Sequence, residues 1–63
     1  MNPEQILKEL RKSEQGFTIS ELALKLRISR QTVANAFAYL EGAAKVTIRP
    51  AGRAKIYYWK KEE

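Results

Sequence analysis

The spacing of the apolar residues changes at about residue 45, and this change restricts the folds that the chain can adopt. Before it, apolar residues recur every three or four positions, as in amphipathic helices. After it, Val46 and Ile48 alternate with polar residues, which is typical of a β-strand. Helical segments followed by a pair of strands predict an α+β domain that is mainly α with a β-hairpin.

Capping residues divide the helical part into three segments. Asn2-Pro3, the capping box Thr18-Ile19-Ser20-Glu21 and Ser29 each predict the start of a helix. Phe17, one position before the second cap, is expected to pack against the start of that helix. The third helix has an apolar face formed by Val33, Phe37 and Leu40. We expect helices at about residues 3–13, 19–26 and 30–43.

The hairpin is expected at about residues 45–59. The sequence Pro50-Ala51-Gly52-Arg53 has the composition of a turn and precedes a second strand rich in Ile, Tyr and Trp. Two faces of that strand are candidates for burial, one with Ile56 and Tyr58 and the other with Tyr57 and Trp59. Because an isolated hairpin is marginally stable in water, it must pack against the helices. We therefore expect a single domain over residues 1–63.

The composition argues against catalytic and metal-binding functions. The chain has no Cys, no His and no Asp, so it lacks the usual zinc ligands, a redox pair and an imidazole base. Its seven carboxylates are all Glu, and no two are spaced for acid–base catalysis. We expect no enzyme, no cofactor, no metal and no small-molecule effector. No leader peptide or membrane span is recognisable, which predicts a cytoplasmic protein.

The positive charge is unevenly distributed along the chain. Residues 1–24 carry a net charge of −1, residues 25–61 carry +8, and Glu62 and Glu63 bring the total to +5. A basic surface suits a polyanionic partner, although many small proteins are basic for solubility alone. Because the basic part coincides with the third helix and the hairpin, nucleic acid is the favoured partner.

The stretch from Ile19 to Ala38, ISELALKLRISRQTVANAFA, resembles the helix-turn-helix motif of transcription regulators. Ala23 matches the small residue at which the two helices of that motif cross. With the hairpin, the pattern is similar to winged helix-turn-helix regulators of the MarR, ArsR and related archaeal types. The resemblance implies a three-helix winged domain that binds double-stranded DNA, regulates transcription and associates with the nucleoid.

The sequence departs from the pattern of these families at two places. Arg27 occupies the turn where the families usually have Gly, and a left-handed conformation there would cost Arg on the order of 1 kcal/mol. After the third helix, Gly42-Ala43-Ala44-Lys45 replaces the usual Gly and large aliphatic residue. This departure falls at the expected end of the third helix.

The resemblance also implies which residues contact DNA. The third helix enters the major groove, where Arg30 reads guanine, Gln31 reads adenine and Asn35 makes a similar contact. Ser29 and Thr32 contact phosphate, and Tyr39 either touches the backbone or packs at the helix edge. On the hairpin, three cations meet phosphates or the minor groove: Arg49, Arg53 and Lys55. Lys25 and Arg27 are weaker candidates. In the alternative interpretation these residues form a solvated surface, and Ser29 only caps its helix.

The sequence is also compatible with other functions. Asn35 and Tyr39 have the spacing of winged helices that bind left-handed DNA, but alignment of the core places Ala34 and Ala38 at the corresponding positions. The domain could instead be a protein–protein adaptor in a transcription or replication assembly, or bind RNA. Homodimerisation would give longer recognition sites, through the first helix or through the strand Tyr57-Tyr58-Trp59.

Overall fold

The computed structural model describes residues 2–60 as three helices followed by an antiparallel hairpin. Met1, Lys61, Glu62 and Glu63 lie outside the described residues, and with them part of the C-terminal charge. The expected α+β layout of a winged helix is confirmed. Its elements are α1 (Pro3–Arg11), α2 (Ile19–Leu26), α3 (Arg30–Gly42), β1 (Val46–Ala51) and β2 (Ala54–Trp59).

Local capping interactions determine where the helices begin. In α2, Thr18 Oγ1 accepts a hydrogen bond from the Glu21 amide at 3.1 Å, and Glu21 Oε1 accepts one from the Thr18 amide at 3.0 Å. Asn2 and Gln5 form the equivalent box at the start of α1. These bonds satisfy amides that have no partner within the helix, and the predicted starts are confirmed.

Two helices end earlier than their expected boundaries. α1 ends at Arg11 rather than residue 13 because the Ser13 amide bonds to the Leu10 carbonyl, which tightens the last turn. α3 ends at Gly42 rather than residue 43, and Ala44 then adopts a left-handed conformation with φ of 56°. The Lys45 amide donates to the Leu40 carbonyl at 2.8 Å, which completes a Schellman motif.

The core lies between the three helices and the first strand. Each helix contributes the apolar face that its spacing predicts, and the start of β1 adds Val46. None of the described residues places a polar or charged side chain in this core. The buried residues are Ile6, Leu10, Leu22, Ala23, Val33, Ala36, Phe37, Leu40 and Val46.

The turn of the hairpin is shorter than the sequence suggests. Strand pairing runs from Val46–Trp59 to Ala51–Ala54, so that only Gly52 and Arg53 form the connection. Gly52 has a φ of 63°, which suits the first central position of a two-residue hairpin turn. Pro50 therefore lies in β1 instead of the expected turn, because β1 is an outer strand and can accept a residue without an N–H.

The second strand buries the face that carries Tyr57 and Trp59. The Tyr57 ring stacks on Phe37 of α3, with centroids 4.1 Å apart and planes inclined by 23°. On its other edge, β2 forms an isolated bridge with Phe17: the Phe17 amide donates to the Tyr57 carbonyl at 3.0 Å, and the Tyr57 amide donates back at 2.8 Å. The hairpin is thus joined both to α3 and to the segment before α2.

Candidate nucleic-acid interface

The turn between α2 and α3 determines the direction in which α3 leaves the body of the domain. Arg27 has φ 57° and ψ 43°, the left-handed conformation for which Gly is usually preferred. The Ile28 amide donates to the Ala23 carbonyl at 3.1 Å, and the Arg27 amide donates to the Leu24 carbonyl at 3.4 Å. The turn therefore has the usual left-handed geometry with Arg in place of Gly.

The N-terminus of α3 is capped by its own side chains. Ser29 Oγ accepts a hydrogen bond from the Thr32 amide at 3.1 Å and lies 2.7 Å from Thr32 Oγ1. The capping interpretation of Ser29 thus has direct support, and contact of either hydroxyl with phosphate stays a prediction. Unlike α1 and α2, which carry Glu4 and Glu21 in their first turns, α3 has no acidic residue in its first turn.

The outward side of α3 is a narrow exposed strip. Its exposed residues Gln31, Asn35 and Ala38, which we call the α3 ridge, lie opposite the buried face of the helix. Gln31 Nε2 donates a hydrogen bond to Asn35 Oδ1 at 2.8 Å. Two of the predicted readers are therefore brought into contact with each other.

The remaining predicted residues of α3 flank this ridge. Arg30 is exposed on the side of α2, where it borders a shallow depression together with Leu24 and Arg27. Thr32 is half-buried and lies on the side of α1, beside Pro3. Tyr39 is 60% exposed and borders a groove between α1 and the C-terminal half of α3. Arg30 and Tyr39 thus lie on opposite flanks of the helix.

The hairpin presents a second group of cations, away from the core. The guanidinium of Arg49 lies 5.7 Å from the centroid of the Tyr58 ring, on the face opposite Tyr57. Arg53, in the turn, and Lys55, in β2, are exposed. Within residues 2–60 these three cations have no ion-pair partner, so their charge is available to an external anion.

Other cations are held by aromatic rings near the base of the hairpin. The Lys25 ammonium lies 5.1 Å from the centroid of Phe17, and the Arg11 guanidinium lies 4.8 Å from the centroid of Trp59. Burial, with a smaller contribution from the charge of Glu41, raises the pKa of the Tyr57 phenol above its ordinary value. Ionisation of the Tyr57 phenol is therefore less favourable in the folded state than in an exposed tyrosine.

The glycine that lets the hairpin approach the segment before α2 was not among the predicted residues. Gly16 has a φ of 72°, and a Cβ built on it would lie 2.6 Å from the Tyr57 carbonyl oxygen. It therefore allows the close approach that forms the Phe17–Tyr57 bridge. The only signal in the sequence is a Gly two positions before a helix cap, which is also expected of an ordinary loop.

The described residues contain no cluster of three or more potential metal ligands. Over residues 2–60, no helix has both the length and the apolar character that crossing a bilayer requires. The sequence matches the family model described as HTH domain over residues 3–52, from the start of α1 to the turn of the hairpin. No curated protein and no solved structure matches the chain.

Proposed function

Because this chain belongs to the helix-turn-helix (HTH) domain family, we propose that it binds duplex DNA as a winged regulator of transcription. Within that family, the hairpin formed by β1 and β2 favours the winged group that includes the MarR and ArsR types. In this proposal α3 enters the major groove and the hairpin contacts the backbone. The protein would then be found in the cytoplasm, associated with the nucleoid.

The observation that carries the proposal is the charge at the start of α3. A helix N-terminus favours carboxylates, and both α1 and α2 carry Glu in their first turns. α3 instead begins with Arg30 and has no acidic residue in its first turn, and Arg30 has no salt bridge within residues 2–60. A positive charge at this position is unfavourable for an isolated helix. It is favourable for a helix whose N-terminus approaches a phosphate backbone.

The proposed contacts divide into base readers and backbone contacts. On α3, Arg30 reaches guanine O6 and N7, Gln31 reaches adenine N6 and N7, and Asn35 lies one turn further along the same groove. The hydroxyls of Ser29 and Thr32 contact phosphates at the groove edge, and Tyr39 contacts the backbone further along. The hairpin adds phosphate or minor-groove contacts through Arg49, Arg53 and Lys55.

The same features support DNA over the two alternative partners. A protein–protein adaptor has no need of unpaired cations on both α3 and the hairpin. An A-form RNA duplex has a major groove too narrow and deep to admit a helix, so the α3 ridge would not reach its bases. Competition between duplex DNA and structured RNA for the protein distinguishes these partners.

The test begins with selection of bound sequences from random duplex DNA. On the selected site, Gln31→Ala should cost about 1–3 kcal/mol, with little effect on unrelated sequences. Arg53→Ala should weaken binding to all sequences and reduce the slope of log affinity against log salt by about 1. Lys12→Ala is the matched control, since Lys12 pairs with Glu9 at the end of α1.

If neither Gln31→Ala nor Arg53→Ala changes affinity at moderate salt, the interface is wrongly assigned. If the wild-type protein fails to bind duplex DNA and binds a protein partner or RNA instead, the proposed function is wrong. Each variant is compared with the wild type by circular dichroism, so that loss of folding is not mistaken for loss of binding.

We also propose that two copies bind adjacent half-sites, because a single domain of this size contacts few base pairs. Tyr57 and Trp59 pack against the body of the domain, so contact through β2 would use the face of Ile56 and Tyr58. The first helix is the other candidate. Selected sites with one half-site only, together with a monomeric mass by sedimentation at high concentration, would refute this proposal.

A further inference from the structure

We infer that Asn35 is a positioning residue for Gln31, and that the pair reads one adenine as a unit. The inference rests on the proposed function and deepens it by assigning different roles to two side chains of the α3 ridge. It starts from one contact, the hydrogen bond from Gln31 Nε2 to Asn35 Oδ1 at 2.8 Å.

The chemistry of the two amides determines what each can offer to a base. Each amide has one acceptor oxygen and two N–H donors. After the contact, Gln31 keeps its oxygen and one N–H, which are the two groups needed to pair with adenine N6 and N7. Asn35 Oδ1 accepts the bond from Gln31, and this contact directs the Asn35 amide towards Gln31 rather than towards a base of its own. It is therefore not an equivalent, independent reader of adenine.

The contact also fixes the orientation of the Gln31 amide. A free Gln side chain rotates and exchanges the positions of its oxygen and nitrogen, so it must be ordered when it meets a base. Rotation of the Gln31 amide alone would bring its oxygen towards Asn35 Oδ1, and two acceptors would face each other. The two amides are thus ordered relative to each other before DNA arrives, with the Gln31 oxygen and one of its N–H groups left for adenine.

The surroundings of the pair are suited to close contact with bases. Ala34 and Ala38 neighbour the two amides along the helix, and neither methyl group competes for their donors or acceptors. Arg30 lies on the α2 flank, away from the amides. The remaining donors of Asn35 suit a neighbouring acceptor edge, such as thymine O4 or guanine O6 and N7. The selected sites should therefore contain adenine next to thymine or guanine.

The experiment measures base preference at the adenine, using the selected duplex and the three duplexes that change this base pair. Gln31→Ala should reduce the preference for adenine by roughly 5- to 150-fold, the range for one bidentate contact. Asn35→Ala should reduce it nearly as much, although Gln31 is still present. The double variant should show no further loss, because the two side chains act as one unit.

Two matched variants separate positioning from a general loss of affinity. Asn35→Asp keeps an oxygen that accepts from Gln31, so the adenine preference should be retained even though the added negative charge lowers affinity for all four duplexes. Arg30→Ala should lower affinity and leave the adenine preference unchanged. In the free protein, Asn35→Ala should also shift the side-chain amide NMR signals of Gln31.

The inference is overturned if Asn35→Ala changes preference only at a different base pair and its effect adds to that of Gln31→Ala. It is also overturned if Asn35→Asp loses the adenine preference as completely as Asn35→Ala. If the protein binds DNA in a salt-dependent way but without sequence preference, the inference about Gln31 and Asn35 is wrong. The proposed DNA-binding surface would then still stand. Failure to bind any duplex refutes both this inference and the proposed function.

Discussion

Replacement of Gly16 by Ala tests how the hairpin is joined to the helices. Gly16 has a φ of 72°, and a Cβ there would lie 2.6 Å from the Tyr57 carbonyl oxygen and 2.8 Å from the Tyr58 ring. The oxygen belongs to the backbone of β2 and cannot move without displacing the strand. Gly16→Ala must therefore separate Phe17 from Tyr57 or distort both.

The expected loss of stability follows from the interactions involved. The left-handed conformation costs a residue with a Cβ about 1 kcal/mol. Weakening of the two backbone hydrogen bonds between Phe17 and Tyr57 costs roughly 1–3 kcal/mol more. We expect Gly16→Ala to lower the free energy of unfolding by about 2–4 kcal/mol. A domain of this length has only about 3–9 kcal/mol in total, so the loss is a large share.

Chemical denaturation by urea, followed by circular dichroism, measures this loss as a shift of the midpoint. Gly52→Ala is the matched control, because Gly52 has a φ of 63° and a Cβ there meets nothing within 4 Å. It should lose only about 1 kcal/mol, the conformational cost. If Gly16→Ala and Gly52→Ala lower the stability equally, the close approach to β2 contributes nothing and the reasoning is wrong.

Two further predictions concern backbone conformation and ionisation. Arg27→Gly and Ala44→Gly should each stabilise the domain by about 1 kcal/mol, because both positions are left-handed, whereas Arg27→Ala should not; urea midpoints distinguish these outcomes. The pKa of the Tyr57 phenol is raised, so the folded state retains that proton to higher pH than the unfolded state. The corresponding stability is fully present below about pH 10 and is lost as pH rises through the raised pKa. Tyr57→Phe should therefore reduce the alkaline loss of stability in urea titrations, and an unchanged pH profile would contradict this assignment.

The parts of the fold that were predictable from sequence depend on short-range interactions. The capping box of Thr18 and Glu21 involves residues three positions apart, and the apolar face of α3 repeats within a single helix. Such local patterns indicate the same secondary structure in most proteins. They were sufficient to predict three helix starts, and with the strand alternation they predicted the winged layout.

The parts that were not predictable depend on residues distant in sequence or on the context of a strand. The buried face of β2 follows from the stacking of Tyr57 on Phe37, and the role of Phe17 follows from its bridge to β2. Pro50 has the composition of a turn residue, but an outer strand accepts it. No local pattern contains this information.

The candidate interface also combines features that the local sequence predicts with features that depend on the folded structure. The four-residue spacing of Gln31 and Asn35 places them on one face of a helix, which the sequence indicates directly. The direction of the hydrogen bond between them is a property of the folded side chains and turns two similar amides into different groups. Arg30, which its position in the chain groups with Gln31, lies on the flank of the α3 ridge that faces α2.

The bridge between Phe17 and Tyr57 has a consequence for the order of folding. It joins residues 40 positions apart and encloses α2, α3 and most of the hairpin in one loop. Closing a loop of this length costs more conformational entropy than forming a local helical turn. Such contacts therefore form late and slow the folding reaction. During synthesis the bridge cannot form until β2 has been made. A chain truncated before Tyr57 would therefore lose the hairpin. It would also lose the bridge to Phe17, which joins the hairpin to the segment before α2.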